Sequence, residues 1–255
     1  MGRLDNKVAI VTGAGMGIGR AVAIMFAGEG AKVVIADLAV AAGEETVRMI
    51  KEAGGEAAFV KADVSLAEDV KNMVKRTVAT YGKLDVLYNN AGIARLAPLT
   101  ETTDEDFERL MAVNVKGVWL CMKYVIPEMI KAGGGSIINV SSIAADAAQH
   151  GLSIYSASKG AVTSMSKVAA LEYGPQNIRV NVIKPGLIVT PMLMAELESQ
   201  PKVLRFIESE TPLGKLGKVE EVATLAVFFA SDESSHITGQ KLTVDGGIEA
   251  ASHIK

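Results

Sequence analysis

The sequence predicts an α/β fold: one doubly wound parallel sheet of about seven strands, with helices on both faces. Three observations predict it. Short apolar, β-branched runs alternate with longer stretches of helical periodicity, at spacings that suit crossover connections. The first three runs lack clean polar alternation, as strands covered on both faces should. No linker, repeat or low-complexity segment interrupts the 255 residues, so a single domain spanning 1–255 is expected.

In chain order, residues 8–12 form the first strand and end in Gly13-Ala14-Gly15-Met16-Gly17-Ile18-Gly19; 20–28 then reads as a helix stopped by Gly30. A second strand, 32–36, ends at Asp37, and a helix over 40–53 stops at Gly54-Gly55. The third strand, 56–61, is closed by Asp63-Val64. Ser65 and Glu68 have capping-box spacing and open a helix that runs to Tyr81. The fourth strand is 84–88. The helix at 105–131 carries too many apolar positions for one stripe, among them Phe107, Leu110, Val118, Trp119 and Val125. It should bury one face on the sheet and another on something else, such as a second subunit.

The strand at 136–140 leads into a helix over 153–173 lined with small residues (Ala157, Gly160, Ala161, Ala169, Ala170), which suits a closely approaching partner helix. A strand at 177–182, a helix at 219–231 and a strand at 240–244 ending in Asp245-Gly246-Gly247 complete the alternation. Residues 187–217 break it with prolines, methionines and mixed polarity, and are read as a mobile lid with short helices.

Bulk properties exclude several classes. A net charge of −3 supplies no broad basic field, so nucleic acid is not an expected partner. No apolar run is long enough to span a bilayer, and the N-terminal residues show no signal-peptide pattern. Cys121 is the only cysteine, which rules out an internal disulfide and suits a reducing compartment. A cytoplasmic protein is expected. His150, His236 and His253 are scattered, so no metal is expected, although His150 lies close to Tyr155.

Tyr155 and Lys159 lie four residues apart on one helix, hence on one face with neighbouring side chains. An ammonium held against a phenol favours the phenolate and lowers its pKa from the usual value of about 10. Ser142, where the preceding strand ends, is positioned to hold a substrate oxygen beside that phenol. Glycines 13, 17 and 19, with Gly15, Met16 and Ile18 between them, follow a strand and open a helix. Such a turn brings backbone amides and the positive end of a helix to a pyrophosphate. The spacing G-x-x-x-G-x-G differs from the dinucleotide fingerprint G-x-G-x-x-G.

Asp37 closes the next strand, where a carboxylate accepts hydrogen bonds from an adenosine ribose and repels a 2′-phosphate. Neither Met16 nor Leu38 offers that phosphate a cation, so NAD is expected over NADP. Arg20 is the nearby cation and, as a helix residue, is expected to point away. Asn89-Asn90-Ala91-Gly92 lies at the sheet's switch point. Pro185-Gly186-x-x-x-Thr190 makes a rigid turn followed by a hydroxyl able to meet a carboxamide.

Thr12-Gly13-x-x-x-Gly17-x-Gly19, Asp63, Asn89-Asn90-Ala91-Gly92, Asn114, Ser142, Tyr155-x-x-x-Lys159 and Pro185-Gly186, in this order over the whole chain, resemble the motifs of the short-chain dehydrogenase/reductase family. The resemblance implies a Rossmann-like fold. It also implies Tyr155 as general acid in ketone reduction and base in alcohol oxidation, with Lys159 lowering its pKa and holding the nicotinamide ribose. Ser142 would bind the reacting oxygen, and Asn114 would hold a water that links Lys159 to solvent. Asp63 and Val64 would meet the adenine, Asn90 (with Ala91 and Gly92) the adenosine-side ribose region, and Ile188 and Thr190 the nicotinamide amide. A homotetramer built on the two helices noted above is implied as well.

The expected function is an NAD-dependent oxidoreductase that interconverts a small-molecule secondary alcohol and a ketone. The candidate pocket residues Ala144, Ala145, Leu152, Leu187 and Met192 are apolar, which favours a cyclic or hydrophobic substrate over a sugar; Gln149 adds a polar contact. One alternative is an NADPH-dependent 3-oxoacyl-carrier-protein reductase, against which Asp37 argues. Another is a non-catalytic dinucleotide-binding sensor or scaffold, against which the intact Tyr155 and Lys159 argue.

Overall fold

Seven strands, Val8–Thr12 (β1), Lys32–Asp37 (β2), Glu56–Lys61 (β3), Val86–Asn89 (β4), Gly135–Val140 (β5), Ile178–Pro185 (β6) and Lys241–Val244 (β7), pair in the order β3-β2-β1-β4-β5-β6-β7. Every pairing is parallel. The expected fold class is the one found. The computed structural model describes residues 2–147, 149–191, 193–194 and 201–251.

Helices Gly17–Gly28 (α1), Val40–Glu52 (α2), Ala67–Tyr81 (α3), Asp104–Met111 (α4), Val118–Lys131 (α5), Ser153–Tyr173 (α6), Pro201–Glu210 (α7) and Val219–Ala230 (α8) surround the sheet. Alternate residues of a strand face opposite sides, and the core divides accordingly. Val11, Ile35, Tyr88, Ile138 and Ile183 pack with Val22 and Phe26 of α1 and Ala226 and Phe229 of α8. Ile10, Val34, Leu87, Ile137 and Val180 pack with Met73 of α3, Cys121 and Val125 of α5 and Val162 of α6. This double coverage explains why the early strands show no polar alternation.

β1 lies between β2 and β4, so the strand order reverses there, at the carboxyl ends where Thr12, Asp37 and Asn89 emerge. A ligand crevice belongs at that switch point.

Four local expectations are corrected. The helix expected over 105–131 is interrupted by a wide π-helical turn, Ala112–Gly117, between α4 and α5. Such turns are rare and occur often at functional sites; this one holds Asn114 fully buried. The capping box at Ser65 and Glu68 does not form: Ser65 donates its backbone N–H and its hydroxyl to Asp63 Oδ1, at 2.9 and 2.7 Å, and α3 begins only at Ala67. α1 opens at Gly17 rather than at Arg20. β6 runs on to Pro185 because Ile183, Lys184 and Pro185 pair with Leu242, Thr243 and Val244 of β7.

The segment expected as a lid is closed at its base. Ile188 bridges to Gly217, with Val189 N–H donating to Gly217 O at 2.8 Å and Gly217 N–H to Leu187 O at 2.9 Å. α7 lies within the segment. Met192 lies outside the described residues, as does His253.

Candidate active site

The glycine loop is shaped by contacts to the end of β4. Gly13 has φ +62°, and a Cβ there would stand 2.9 Å from Ala91 Cα. A Cβ on Gly19 would meet the Gly13 carbonyl oxygen at 2.1 Å, so α1 can start only against a bare backbone. Asn90 Nδ2 donates to the carbonyls of Thr12 and Gly13 at 3.1 Å, while Thr12 Oγ1 accepts from the N–H groups of Asn90 and Ala91 at 3.0 and 3.1 Å. The side chain of Asn90 is thus occupied in bracing the loop.

Asp37 Oδ2 accepts from Gly15 N–H at 2.8 Å, and Oδ1 accepts from Ala39 N–H at 2.9 Å. Its carboxylate is held at the loop's outer edge beside the exposed Met16 and Leu38. Arg20 turns back onto the loop, donating to the Gly15 carbonyl, to Thr46 Oγ1 at 3.1 Å and to Ala42 O at 3.4 Å. Ile18 packs on the core under α1. Asp63 N–H donates to Asp69 at 2.9 Å, and Val64 is buried against Gly117, where a Cβ would lie 2.7 Å from it.

On the other side of the crevice, Ser142 follows β5 in extended conformation and accepts from Ala144 N–H at 3.1 Å. Lys159, almost entirely buried, places its Nζ 5.6 Å from the centroid of the Tyr155 ring and donates to Val140 O at 2.9 Å. Burial pulls the Lys159 ammonium down to about 8. Burial likewise pushes the Tyr155 phenol above its ordinary value, opposed by a hydrogen bond from Ser142. The expected lowering of Tyr155 by Lys159 is therefore not the net direction here, because removing the phenolate from water outweighs the favourable contacts.

Asn114 accepts from Ile93 N–H and donates to Ile93 O, both at 2.9 Å, and donates to Ser158 Oγ at 3.1 Å. Ser158 in turn donates to the Tyr155 carbonyl at 2.7 Å. A Cβ on Gly92 would stand 3.3 Å from Asn114 Oδ1 and 3.5 Å from Lys159 Nζ, so the chain leaving β4 passes close to both. Ser141 donates to the Lys159 carbonyl at 2.9 Å and accepts from Thr163 Oγ1 at 3.0 Å, locking the end of β5 to α6. Sequence reading missed Ser141, Ser158 and Thr163, because α6 carries other hydroxyls as well (Ser153, Ser156, Ser164, Ser166) and no spacing marks these three.

Pro185 ends β6, and Gly186 is packed so closely on Asp245 that a Cβ would meet it at 2.5 Å. Ile188 is buried, and Thr190 Cγ2 lies 3.6 Å from where a Gly17 Cβ would stand, which brings the start of the 187–217 segment against the glycine loop. Among the pocket candidates, Ala144 is buried, while Ala145, Leu152 and Leu187 are half-buried. Gln149 instead joins His150, Pro98, Leu99 and the first turn of α6 in lining a mainly apolar cavity of about 430 Å³. Among the described residues, no three His, Cys, Asp or Glu side chains converge as a metal site would require, and no helix is long and apolar enough to cross a membrane.

Bare glycine backbone, a braced turn at a helix N-terminus and a carboxylate at the adjacent strand end form a cradle that fits a dinucleotide. Comparison with known proteins agrees. Residues 13–249 match a family model described as enoyl-(acyl carrier protein) reductase. The chain is 43% identical over 250 residues to the 3-oxoacyl-[acyl-carrier-protein] reductase FabG of Thermotoga maritima, covering 96% of this chain and 99% of that protein. It is 41% identical over 245 residues to the cyclohexanol dehydrogenase of Acinetobacter sp. strain SE19, covering 96% and 95%. The structure of a 7α-hydroxysteroid dehydrogenase complexed with NADH and 7-oxo glycochenodeoxycholic acid superposes with a TM-score of 0.93 at 36% identity, covering 96% of this chain and 95% of that one. The chain is an oxidoreductase of the short-chain dehydrogenase/reductase family, built on a fold that binds a nicotinamide dinucleotide.

Proposed function

We propose that this protein is an NAD-dependent dehydrogenase that interconverts a secondary alcohol and a ketone, with Tyr155 as general acid/base and a cyclic or hydrophobic compound as substrate. The observation that carries the reading is the placement of Lys159 Nζ 5.6 Å from the Tyr155 ring centroid, with Gly92 beside the ammonium and Ser142 just past the end of β5.

The loop Gly13–Gly19, with Gly15, Met16, Gly17 and Ile18, holds the pyrophosphate, and Asp37 with Leu38 the adenosine ribose. Asp63 and Val64 border the adenine. Ala91 and Gly92, braced through Asn90, line the crossing point. Pro185, Gly186, Ile188 and Thr190 would hold the nicotinamide, and Tyr155 and Lys159 its ribose. When bound, the nicotinamide supplies or accepts the hydride. The chain's own residues manage the proton: in reduction, the Tyr155 O–H donates to the carbonyl oxygen while the Ser142 hydroxyl orients that oxygen. In oxidation the phenolate takes the alcohol proton, and Lys159, still largely protonated at neutral pH, stabilises it. Asn114, fixed on Ile93 and Ser158 close to Lys159, would hold a water that links Lys159 to solvent as a proton relay.

Asp37 supports NAD, since its carboxylate would repel a 2′-phosphate and Arg20 directs its donors to Gly15, Thr46 and Ala42. The same residue argues against an NADPH-dependent 3-oxoacyl-carrier-protein reductase. The apolar side chains of buried Ala144 and half-buried Leu152 and Leu187 support a hydrophobic substrate, with residues 187–217 as its lid. The exposed Phe107, Trp119, Val168 and Leu171 on α4, α5 and α6 support a homotetramer formed through those helices. The single buried cysteine supports a cytoplasmic location. A panel of cyclic and aliphatic alcohols, assayed with NAD and with NADP by the absorbance of the reduced cofactor, tests the proposal. Turnover with cyclic alcohols and NAD is expected; a clear NADP preference sinks the cofactor assignment.

A further inference from the structure

β6 is a strand between two others in a parallel sheet, a setting that favours apolar side chains. Lys184, near its carboxyl end, is nevertheless fully buried. An ammonium there is tolerable only if paired, and its Nζ donates to two carboxylates, Asp146 and Glu249, that come from segments 38 and 65 residues away. Lys241 of β7 also reaches Asp146 Oδ2, at 2.6 Å, and Thr243 Oγ1 donates to Glu249 Oε2 at 2.7 Å.

Each carboxylate anchors a segment of the site. Asp146 ends the turn that begins at Ser142: Ala145 N–H donates to Ser142 O at 3.1 Å, and Ala147 N–H to Ile143 O at 2.8 Å. Glu249 belongs to the C-terminal turn, where Asp245 accepts from the N–H groups of Gly247 and Glu249 at 2.8 and 2.7 Å. That turn carries the far end of the 187–217 segment, for Leu213 N–H donates to Gly246 O at 3.1 Å. Lys184 is buried while the Asp146 and Glu249 side chains stay 38% and 29% exposed, so the ammonium is paired at the rim of the sheet, where the two ion pairs add little net stability and act mainly as a tie between the turns.

We propose that Lys184 is a positioning residue that ties the Ser142 turn to the C-terminal turn, on which the Leu213 end of the 187–217 segment rests, and so fixes where the substrate oxygen is held. This rests on the oxidoreductase reading above. Lys184→Met and Asp146→Asn test it. Both are expected to raise the KM for the best alcohol of the panel at least tenfold while leaving the NADH Kd within twofold and the pH profile of kcat unmoved.

Hydrogen exchange supplies a readout independent of turnover. In Lys184→Met, the amides of Ala145, Ala147, Gly247 and Glu249 should exchange at least tenfold faster while those of β6 keep their protection. An unchanged KM, unchanged exchange at these four amides, or loss of protection throughout β6 overturns the proposal. If the unsubstituted protein turns over no alcohol or ketone, the functional reading falls, and the exchange result alone decides this one.

Discussion

Lys159 donates its Nζ to the carbonyl of Val140 at 2.9 Å while lying 5.6 Å from the ring of Tyr155, so one buried ammonium joins the end of β5 to the phenol on α6. If the phenol moves the proton, Tyr155→Phe removes it without disturbing the packing of the ring. Turnover should fall by roughly 10²- to 10⁴-fold, with NADH affinity within about threefold of the parent, measured by kcat and by cofactor fluorescence. Retained turnover in this variant defeats the assignment of the acid/base.

Burying Lys159 costs stability, and the sign follows from its pKa. The folded value, about 8, lies below the ordinary 10.5, so below about pH 8 the folded chain must carry a charge that it disfavours. Between those values the unfolded chain binds more protons, and stability rises with pH. Lys159→Met should therefore stabilise the protein at pH 7 by about 1–3 kcal/mol while abolishing activity, and the advantage should shrink as pH rises from 8 towards 10.5. Urea unfolding at pH 7 and pH 10 measures it; a destabilised variant at pH 7 would show that the bond to Val140 outweighs the desolvation.

Asp37 binds Gly15 and Ala39 before any ribose arrives. Asp37→Ala should weaken NAD binding by about 10- to 100-fold, the worth of hydrogen bonds to a charged group. Binding of NADP should weaken far less or improve. Titration of both cofactors reads the ratio, and equal losses for the two would count against Asp37 as the selector.

Tyr88 is wholly buried beside Phe26, and its hydroxyl has no hydrogen-bond partner among the described residues. Burial pushes that phenol far up, so it stays neutral. An unpaired buried hydroxyl costs free energy. Tyr88→Phe should keep the edge-to-face contact and raise stability by about 1 kcal/mol, seen as a higher Tm. A lower Tm would mean that the hydroxyl has an ordered partner.

Cys121 sits in the core of α5, and burial pushes its thiol up to about 12. Thiolate is the reactive form, so the native protein should resist maleimide at pH 7.5 and react in denaturant. Labelling followed by mass measurement checks this.

The sequence by itself determined whatever depends on local spacing. Alternating runs of two periodicities specify the layered sheet, three glycines after a strand specify the turn, and a four-residue interval puts Tyr155 and Lys159 on one helix face. Each is a property of a few neighbouring residues and survives any tertiary arrangement. Only the tertiary structure decided what depends on groups brought together from far apart. Asn90 is turned to brace Thr12 and Gly13 from 78 and 77 positions away. Asn114 gains its π turn and its bonds to Ile93 and Ser158, and Lys184 finds its two carboxylates. The net direction of the Tyr155 shift belongs to the same group, because desolvation depends on everything packed around a charge, whereas a motif records only the partner one helical turn away.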